Sequence, residues 1–305
     1  MIDVIIPAYN AASYIAQTLD SLTYQGNLIS KVLVVNDGST DATAQIVQDF
    51  SAAHPLLAIE LINQTNAGLS NARNTGITHS KSPYIALLDA DDLWLADKLN
   101  LQFVLFQQSL DPHLGLVYCG YQLIDKHSNK LPDSTGIIYP RLKGQVHSAL
   151  LRGNFISGSG SSVLIKREVF DRVGLFNEFL PACEDWEMWL RITKQFTIDY
   201  VDLPLVLIRQ HSKSMQKDTL RMLTAELLVL NLFYLNQERN SFLLWKIRTI
   251  LHQQKIPAQD IPNFDQCCAK LQSSLSGWGH QIACFTLIPM GWVSFLYLKL
   301  KHKKK

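Results

Sequence analysis

No CxxC pair occurs in this 305-residue chain, and its five cysteines (119, 183, 267, 268 and 284) are odd in number and irregular in spacing. Such a set suits neither a zinc site nor a disulfide framework, and it points to reduced thiols in a cytoplasm. The start, Met1 to Pro7, has no basic or long apolar leader region, so a signal peptide is not expected. A dominant charge is missing too: 28 Lys and Arg face 26 Asp and Glu, a net charge of +2. That balance excludes a chain-wide electrostatic footprint for nucleic acid, and no nucleic-acid partner is expected. Glycine is absent directly after the first apolar run, where Val4-Ile5-Ile6 passes into Pro7-Ala8-Tyr9-Asn10. A sugar nucleotidyltransferase wants a Gly-rich basic loop there and a haloacid-type phosphatase wants an aspartate pair; the chain has neither.

What is present is a composition 47 % apolar and 18 % charged, that of a folded chain with one large domain or two small ones. Short apolar runs at 4–6, 31–36, 58–62 and 84–88 read as strands. Helices are expected between them, over 12–22, up to about residue 50, and onward from the loop at 66–74. Strand–helix alternation from the first residues predicts βαβ units and a largely parallel sheet. Further helices are expected at 97–109, 147–151 and 184–192, and strands near 116–123, 163–165, 198–201 and 205–208. Residues 125–145 read as loop, and from Asp218 the pattern turns helical.

The run at 84–88 stops at Asp89, Asp91 and Asp92, three carboxylates within four positions. At a strand exit, Asp89 and Asp91 both reach one point beyond the strand's carboxyl end. Two like charges there need a cation or must take up protons. Oxygen ligands favour a hard ion, Mn2+ or Mg2+, shared with substrate phosphates. In open α/β sheets this edge is where ligands sit. The same residues also suit N-caps of the next helix, Asp92 above all. An EF-hand is excluded, because Leu93 and Asn100 stand where an oxygen ligand and the closing Glu are needed.

Other candidates have two readings each. Asp37, before Gly38, is a carboxylate at a strand end or a turn cap. Arg73 and Asn74, early in a helix after Gly68, offer a donor fork to phosphate or lie on a surface. Glu184 and Asp185 open a helix, where carboxylates serve as a general base or simply complement the helix dipole. Trp186 offers a ring face for stacking or fills the core.

Six stretches stand in order: VIIPAYN (4–10), VVNDGSTD (34–41), NAGLSNARN (66–74), LLDADD (87–92), CEDWEMWLR (183–191) and RQHSKSM (209–215). Over about residues 1–215 the chain resembles the family 2 inverting glycosyltransferases. The resemblance implies an α/β GT-A (Rossmann-like) fold, a mixed and mainly parallel sheet flanked by helices, with a C-terminal helical extension. The catalytic domain is then 1–217, with a nucleotide-sugar half at 1–110 and an acceptor half at 111–217; 218–305 is the helical region. It implies that Pro7, Ala8, Tyr9, Asn10 and Asp37 form the nucleotide pocket, with Asp37 accepting from the base. Gly68, Arg73, Asn74 and Ala90 join the donor site. Asp89 and Asp91 become the DxD pair: Asp91 binds Mn2+ or Mg2+, and Asp89 contacts ribose or a water on the metal. His211 is implied as a further metal ligand or diphosphate contact, and Asp185, beside Glu184, as the general base. Arg209 and Lys213 add positive charge for a departing diphosphate. The segment departs from the commoner family form at Gln216, where a serine often stands. UDP is the nucleotide expected, with GDP and dTDP as alternatives, and the acceptor a glycan or lipid-linked glycan of surface polysaccharide synthesis. The competing reading is a non-catalytic nucleotide-sugar-binding or scaffold module of the same fold.

Residues 282–298 carry no charge and are followed by Lys299, Lys301, Lys303, Lys304 and Lys305. The run is short of the roughly 20 residues that cross a bilayer. A membrane-surface helix with a polybasic tail is expected instead, placing the protein in the cytoplasm and peripherally on the inner face of the membrane.

Overall fold

The computed structural model describes residues 1–132, 136–156, 158–211 and 219–233. The chain forms two compact units, Met1–Phe179 with Glu184–Lys213, and Leu180–Cys183 with Ser214–Lys305.

In the first unit the strands are β1 (Ile2–Ala8), β2 (Ile29–Asp37), β3 (Ile59–Gln64), β4 (Tyr84–Leu87), β5 (Leu93–Trp94), β6 (Leu114–Ile124), β7 (Ile137–Ile138), β8 (Val163–Lys166) and β9 (Thr197–Arg209). They join in one sheet of order β3-β2-β1-β4-β8-β6-β9-β5, with β7 on β6. Strands β1, β2, β3, β4, β6 and β9 run one way and β5, β7 and β8 the other, so the sheet is mixed and mainly parallel. The helices are α1 (Ile15–Leu22), α2 (Thr43–Ala53), α3 (Leu69–His79), α4 (Lys98–Gln108), α5 (His147–Leu150), α6 (Arg167–Val173) and α7 (Glu184–Thr193). The GT-A arrangement expected from the resemblance is the one present.

The first strand shows why its sequence is nearly all apolar. Every residue of β1 is buried. Ile2, Val4, Ile6 and Ala8 share a core with Ile15, Leu19 and Leu22 of α1. On the other face α3 lies so close that a Cβ at Gly76 would overlap the Ile5 side chain. A strand covered on both sides has no polar face to alternate with. Asp3 is the exception, and it is fully used: its carboxylate accepts from Ser80 Oγ, Ser82 Oγ and the backbone N–H groups of Lys81 and Ser82. These bonds fix the turn between α3 and β4.

Two expectations need correction, and three short elements are new. Pro7 does not end β1, which continues to Ala8. Beyond Ile5 the β4 pairing has stopped, so only β2 lies beside Pro7 and a missing N–H is tolerated. The strands expected near 198–201 and 205–208 are one strand, β9, whose pairing with β6 skips from Val201 to Pro204. Asp202 and Leu203 form the bulge that admits the proline. Helix α6 and the short strands β5 and β7 were not apparent from hydrophobic periodicity, being too brief to show it.

In the second unit, helix α8 (Thr219–Phe233) is described, and Arg221 Nε donates to the Pro181 carbonyl at 2.6 Å. Among the described residues no helix is long and apolar enough to cross a membrane. The expected surface helix at 282–298, its lysine tail and Lys213 lie outside the described residues.

Candidate active site

The parallel strands β1 to β4 all end at one edge, and the sheet order turns outward on either side of β1 and β4. Such a switch point leaves a crevice beyond the strand ends. The loops that follow are braced to each other. Asn10, at φ +50°, donates from its N–H to Ser39 Oγ at 3.0 Å and accepts at Oδ1 from the Thr40 N–H at 2.8 Å. Asp41 accepts from the Ala12 N–H at 3.1 Å and the Thr43 N–H at 3.0 Å. Pro7 and Ala8 are buried in β1, while Tyr9 is 55 % exposed at its end.

Asp37 accepts from the Ala67 N–H and the Gln64 amide at Oδ1, both at 2.8 Å, and from the Gly68 N–H at Oδ2, at 2.9 Å. Three of the roughly four acceptor positions of a carboxylate are thus taken by protein. The first task of Asp37 is to fold the 64–68 loop, in which Gly68 takes φ +92° before α3 begins.

Arg73 is not presented at a surface. It is closed to solvent, and its Nη1 donates to Glu184 Oε1 and its Nη2 to Asp89 Oδ1, each at 2.7 Å. Ser159 Oγ donates to Asp89 Oδ2 at 2.6 Å and accepts from Arg73 Nη2 at 3.2 Å. The two carboxylates hold the guanidinium charged. Asn74 is turned inward as well, bonding the Phe176 backbone through both amide atoms and donating to Glu178. The expected donor fork is therefore an internal brace: its charge is neutralised by Asp89 and Glu184.

Glu184 is committed to Arg73, which leaves Asp185 as the carboxyl of the pair without an ionic bond among the described residues. Asp185 keeps some exposure, accepts from the Trp186 N–H at 2.6 Å, and faces Asn154 Nδ2 at 3.4 Å. Burial among protein atoms, then the Glu184 charge, push it up to about 7, against the pull of Arg73. Such a carboxyl is poised to take a proton near neutral pH. Trp186 fills the core, donating from its indole to the Leu150 carbonyl at 2.8 Å.

Asp91 Oδ2 lies 2.8 Å from His211 Nε2, and the Asp91 side chain stays one-third exposed. Burial and the Asp89 charge raise the Asp91 carboxyl. Asp92 is internal: Ser161 Oγ donates to it at 2.6 Å and the Arg209 N–H at 3.0 Å. Arg209 is buried and spends its guanidinium on the Asp91 carbonyl, Gln17 and Ser128 rather than on open space. Its plane lies over Tyr14, on which His211 also stacks. Ala90 offers its carbonyl to Thr18 Oγ1 at 2.9 Å. Among the described residues no three of His, Cys, Asp and Glu gather as a ready-made metal cage. A hard divalent ion commonly takes one or two carboxylates and completes its shell with substrate phosphates and water. The pair Asp91–His211, with its open side, fits that requirement.

Sequence reasoning missed Ser159, Ser161 and Asn154 as organisers of these carboxylates. The stretch 157–162, SGSGSS, reads as flexible. A Cβ at Gly160 would lie 3.1 Å from Leu87 Cβ and 3.3 Å from Arg73 Nη2, so the glycine is where the guanidinium passes. A close approach of that kind is the one signal such a Gly-Ser alternation carries.

An uncharacterized glycosyltransferase of Rickettsia felis is 30 % identical over 230 residues, 71 % of this chain, and the match spans only 35 % of that relative's length. Escherichia coli WfgD, a UDP-Glc:alpha-D-GlcNAc-diphosphoundecaprenol beta-1,3-glucosyltransferase, is 30 % identical over 66 % of this chain and 73 % of its own. The structure of Staphylococcus aureus TarS 1-349 with UDP-GlcNAc superposes with a TM-score of 0.63 at 17 % identity, covering 88 % of this chain and 78 % of that one. The mannosyltransferase PcManGT from Pyrobaculum calidifontis, with GDP-Man and Mn2+, gives 0.59 at 19 % identity over 97 % and 80 %. Both structural likenesses concern the fold. Residues 3–174 match the family described as Glycosyl transferase family 2, and the chain belongs to that family.

Proposed function

We propose that the protein transfers a sugar, with inversion, from a nucleotide-sugar to a hydroxyl of a glycan or lipid-linked acceptor, using a divalent metal. The observation that carries this reading is one continuous line of groups: Asp185 beside Glu184, Glu184 and Asp89 on Arg73, and Asp91 on His211 at the same strand end. It sets a carboxyl able to take a proton within one arginine of a pair able to hold a diphosphate-bound cation.

The donor lies across the ends of β1 to β4, with Tyr9, Asn10 and the Asp37-held loop around its base. Asp91 and His211 would hold Mn2+ or Mg2+, with Asp89 beside them. When bound, that ion neutralises charge on the diphosphate as it departs. Asp185 accepts the proton of the acceptor hydroxyl, whose oxygen forms the new bond to the anomeric carbon. The old carbon–oxygen bond breaks with its electron pair going to the diphosphate, and attack from the opposite face inverts the centre. UDP is favoured as the nucleotide by the donors that relatives' names print. Surface polysaccharide synthesis suits relatives named chondroitin synthase and a diphosphoundecaprenol glucosyltransferase. The uncharged run at 282–298 and the lysines after it suit attachment to the anionic inner face of a membrane.

The test is titration calorimetry with UDP, GDP and dTDP, each with Mn2+ and with EDTA. Metal-dependent binding of one nucleotide supports the reading; no binding under any condition leaves the non-catalytic module in its place.

A further inference from the structure

Arg73 is too costly a residue to bury without a task. It is closed to solvent and shared between carboxylates 16 and 111 positions away, and its Nε has no hydrogen-bond partner among the described residues. The Phe176 ring lies 5.4 Å from the guanidinium carbon and closes that side. A filler of this volume would be apolar, and a phosphate-binding arginine would face the crevice. The two ends of the fork instead join the strand exit that carries the donor-side aspartates to the first residue of α7.

We infer that Arg73 is a positioning residue: by bonding Asp89 and Glu184 at once it fixes the start of α7, and with it the Asp185 carboxyl, against the donor side of the site. It contacts no donor phosphate. The inference rests on the transferase reading for its kinetic half. Lysine cannot replace arginine in this task, because a single ammonium does not span two carboxylates with parallel bonds. Among the described residues the charged groups acting on Asp185 are Glu184 on its own helix, Arg73 from α3 and Asp89 from the β4 exit, with the neutral amide of Asn154 alongside.

The experiment compares wild type, Arg73→Lys, Arg73→Met and Glu184→Gln in the full chain. Binding of UDP with Mn2+ is measured by calorimetry, and UDP release from UDP-GlcNAc and UDP-Glc gives kcat. Arg73→Lys is expected to bind UDP within about threefold of wild type while kcat falls about 100-fold, the penalty of a carboxyl displaced by about 1 Å. Glu184→Gln loosens the same brace from its other end with a neutral isostere, and gives the same split where Arg73→Met does not fold. A kcat within threefold of wild type, or a loss confined to UDP affinity, overturns the inference. A second readout needs no turnover: the carboxyl 13C titration of Asp185, identified by its loss in Asp185→Asn. Its midpoint is expected to move by more than about half a unit in Arg73→Met or Glu184→Gln, and an unmoved midpoint overturns the inference. Wild type that neither binds UDP with Mn2+ nor releases it sinks the transferase reading alone, and the titration then decides.

Discussion

Asp91 and His211 stand 120 positions apart in sequence and 2.8 Å apart in the fold. Strand β9 and the Arg209 contacts bring the histidine to the end of β4, and the Tyr14 ring supports it from the side.

The first prediction concerns that pair. Asp91→Ala should abolish the Mn2+-dependent part of UDP binding. His211→Ala should weaken it on the order of tenfold, the equivalent of about 1.4 kcal/mol. Calorimetry with and without EDTA reads both. Equal affinity of wild type and Asp91→Ala in Mn2+ would remove Asp91 from the metal site.

Asp185 gives the second. Asp185→Asn should bind UDP as wild type does, while transfer falls about 100- to 10,000-fold. A general base must be ionised to work, and the Asp185 carboxyl is pushed up to about 7. Turnover in wild type should therefore decline as the pH drops through about 7, read from the acid limb of kcat. A limb lying near pH 4 would assign the proton to another group.

Lys98 supplies a third, on stability. It is closed to solvent, donates to Gln102 Oε1 at 2.9 Å and sits 4.0 Å from the Trp94 ring centre. Burial pushes its ammonium from 10.5 down to about 8. The unfolded chain then holds that proton better, so charged Lys98 destabilises the fold fully below pH 8 and not at all well above 10.5. Lys98→Met should raise stability at pH 7, and the Tm with it, by at most about 3 kcal/mol less about 1 kcal/mol for the lost Gln102 bond. The gain should shrink by pH 10. A Tm difference independent of pH across that window would contradict the assignment.

A fourth rests on Asp3. Asp3→Ala strips the acceptor from four donors at the α3–β4 turn and should lower stability by about 3 kcal/mol in urea unfolding at pH 7. These bonds, set against burial, leave the Asp3 carboxyl below its ordinary 3.8. The contribution is therefore complete above that value and fades only as the pH falls through the folded one. A loss under about 0.5 kcal/mol, typical of a surface change, would mean that water replaces the carboxylate.

Sequence alone determined the parts that depend on neighbours in the chain. An unbroken apolar run marks a strand covered on both faces, and β1 and β4 could be read that way. Three carboxylates after such a run put Asp89, Asp91 and Asp92 just beyond the carboxyl end of a strand, and they follow the end of β4. The order of six short motifs carried the fold. What a charged side chain does there was decided only by tertiary structure. Arg73 looks equally suited to a phosphate or a carboxylate in sequence, and Glu184, from 111 positions away, is what committed it. Asp91 and Asp92 are adjacent, yet Asp91 opens toward His211 while Ser161 and the Arg209 backbone hold Asp92 inside. Helical and strand periods are set within a few residues, whereas an ion's partners are whichever groups the chain returns to within about 3 Å.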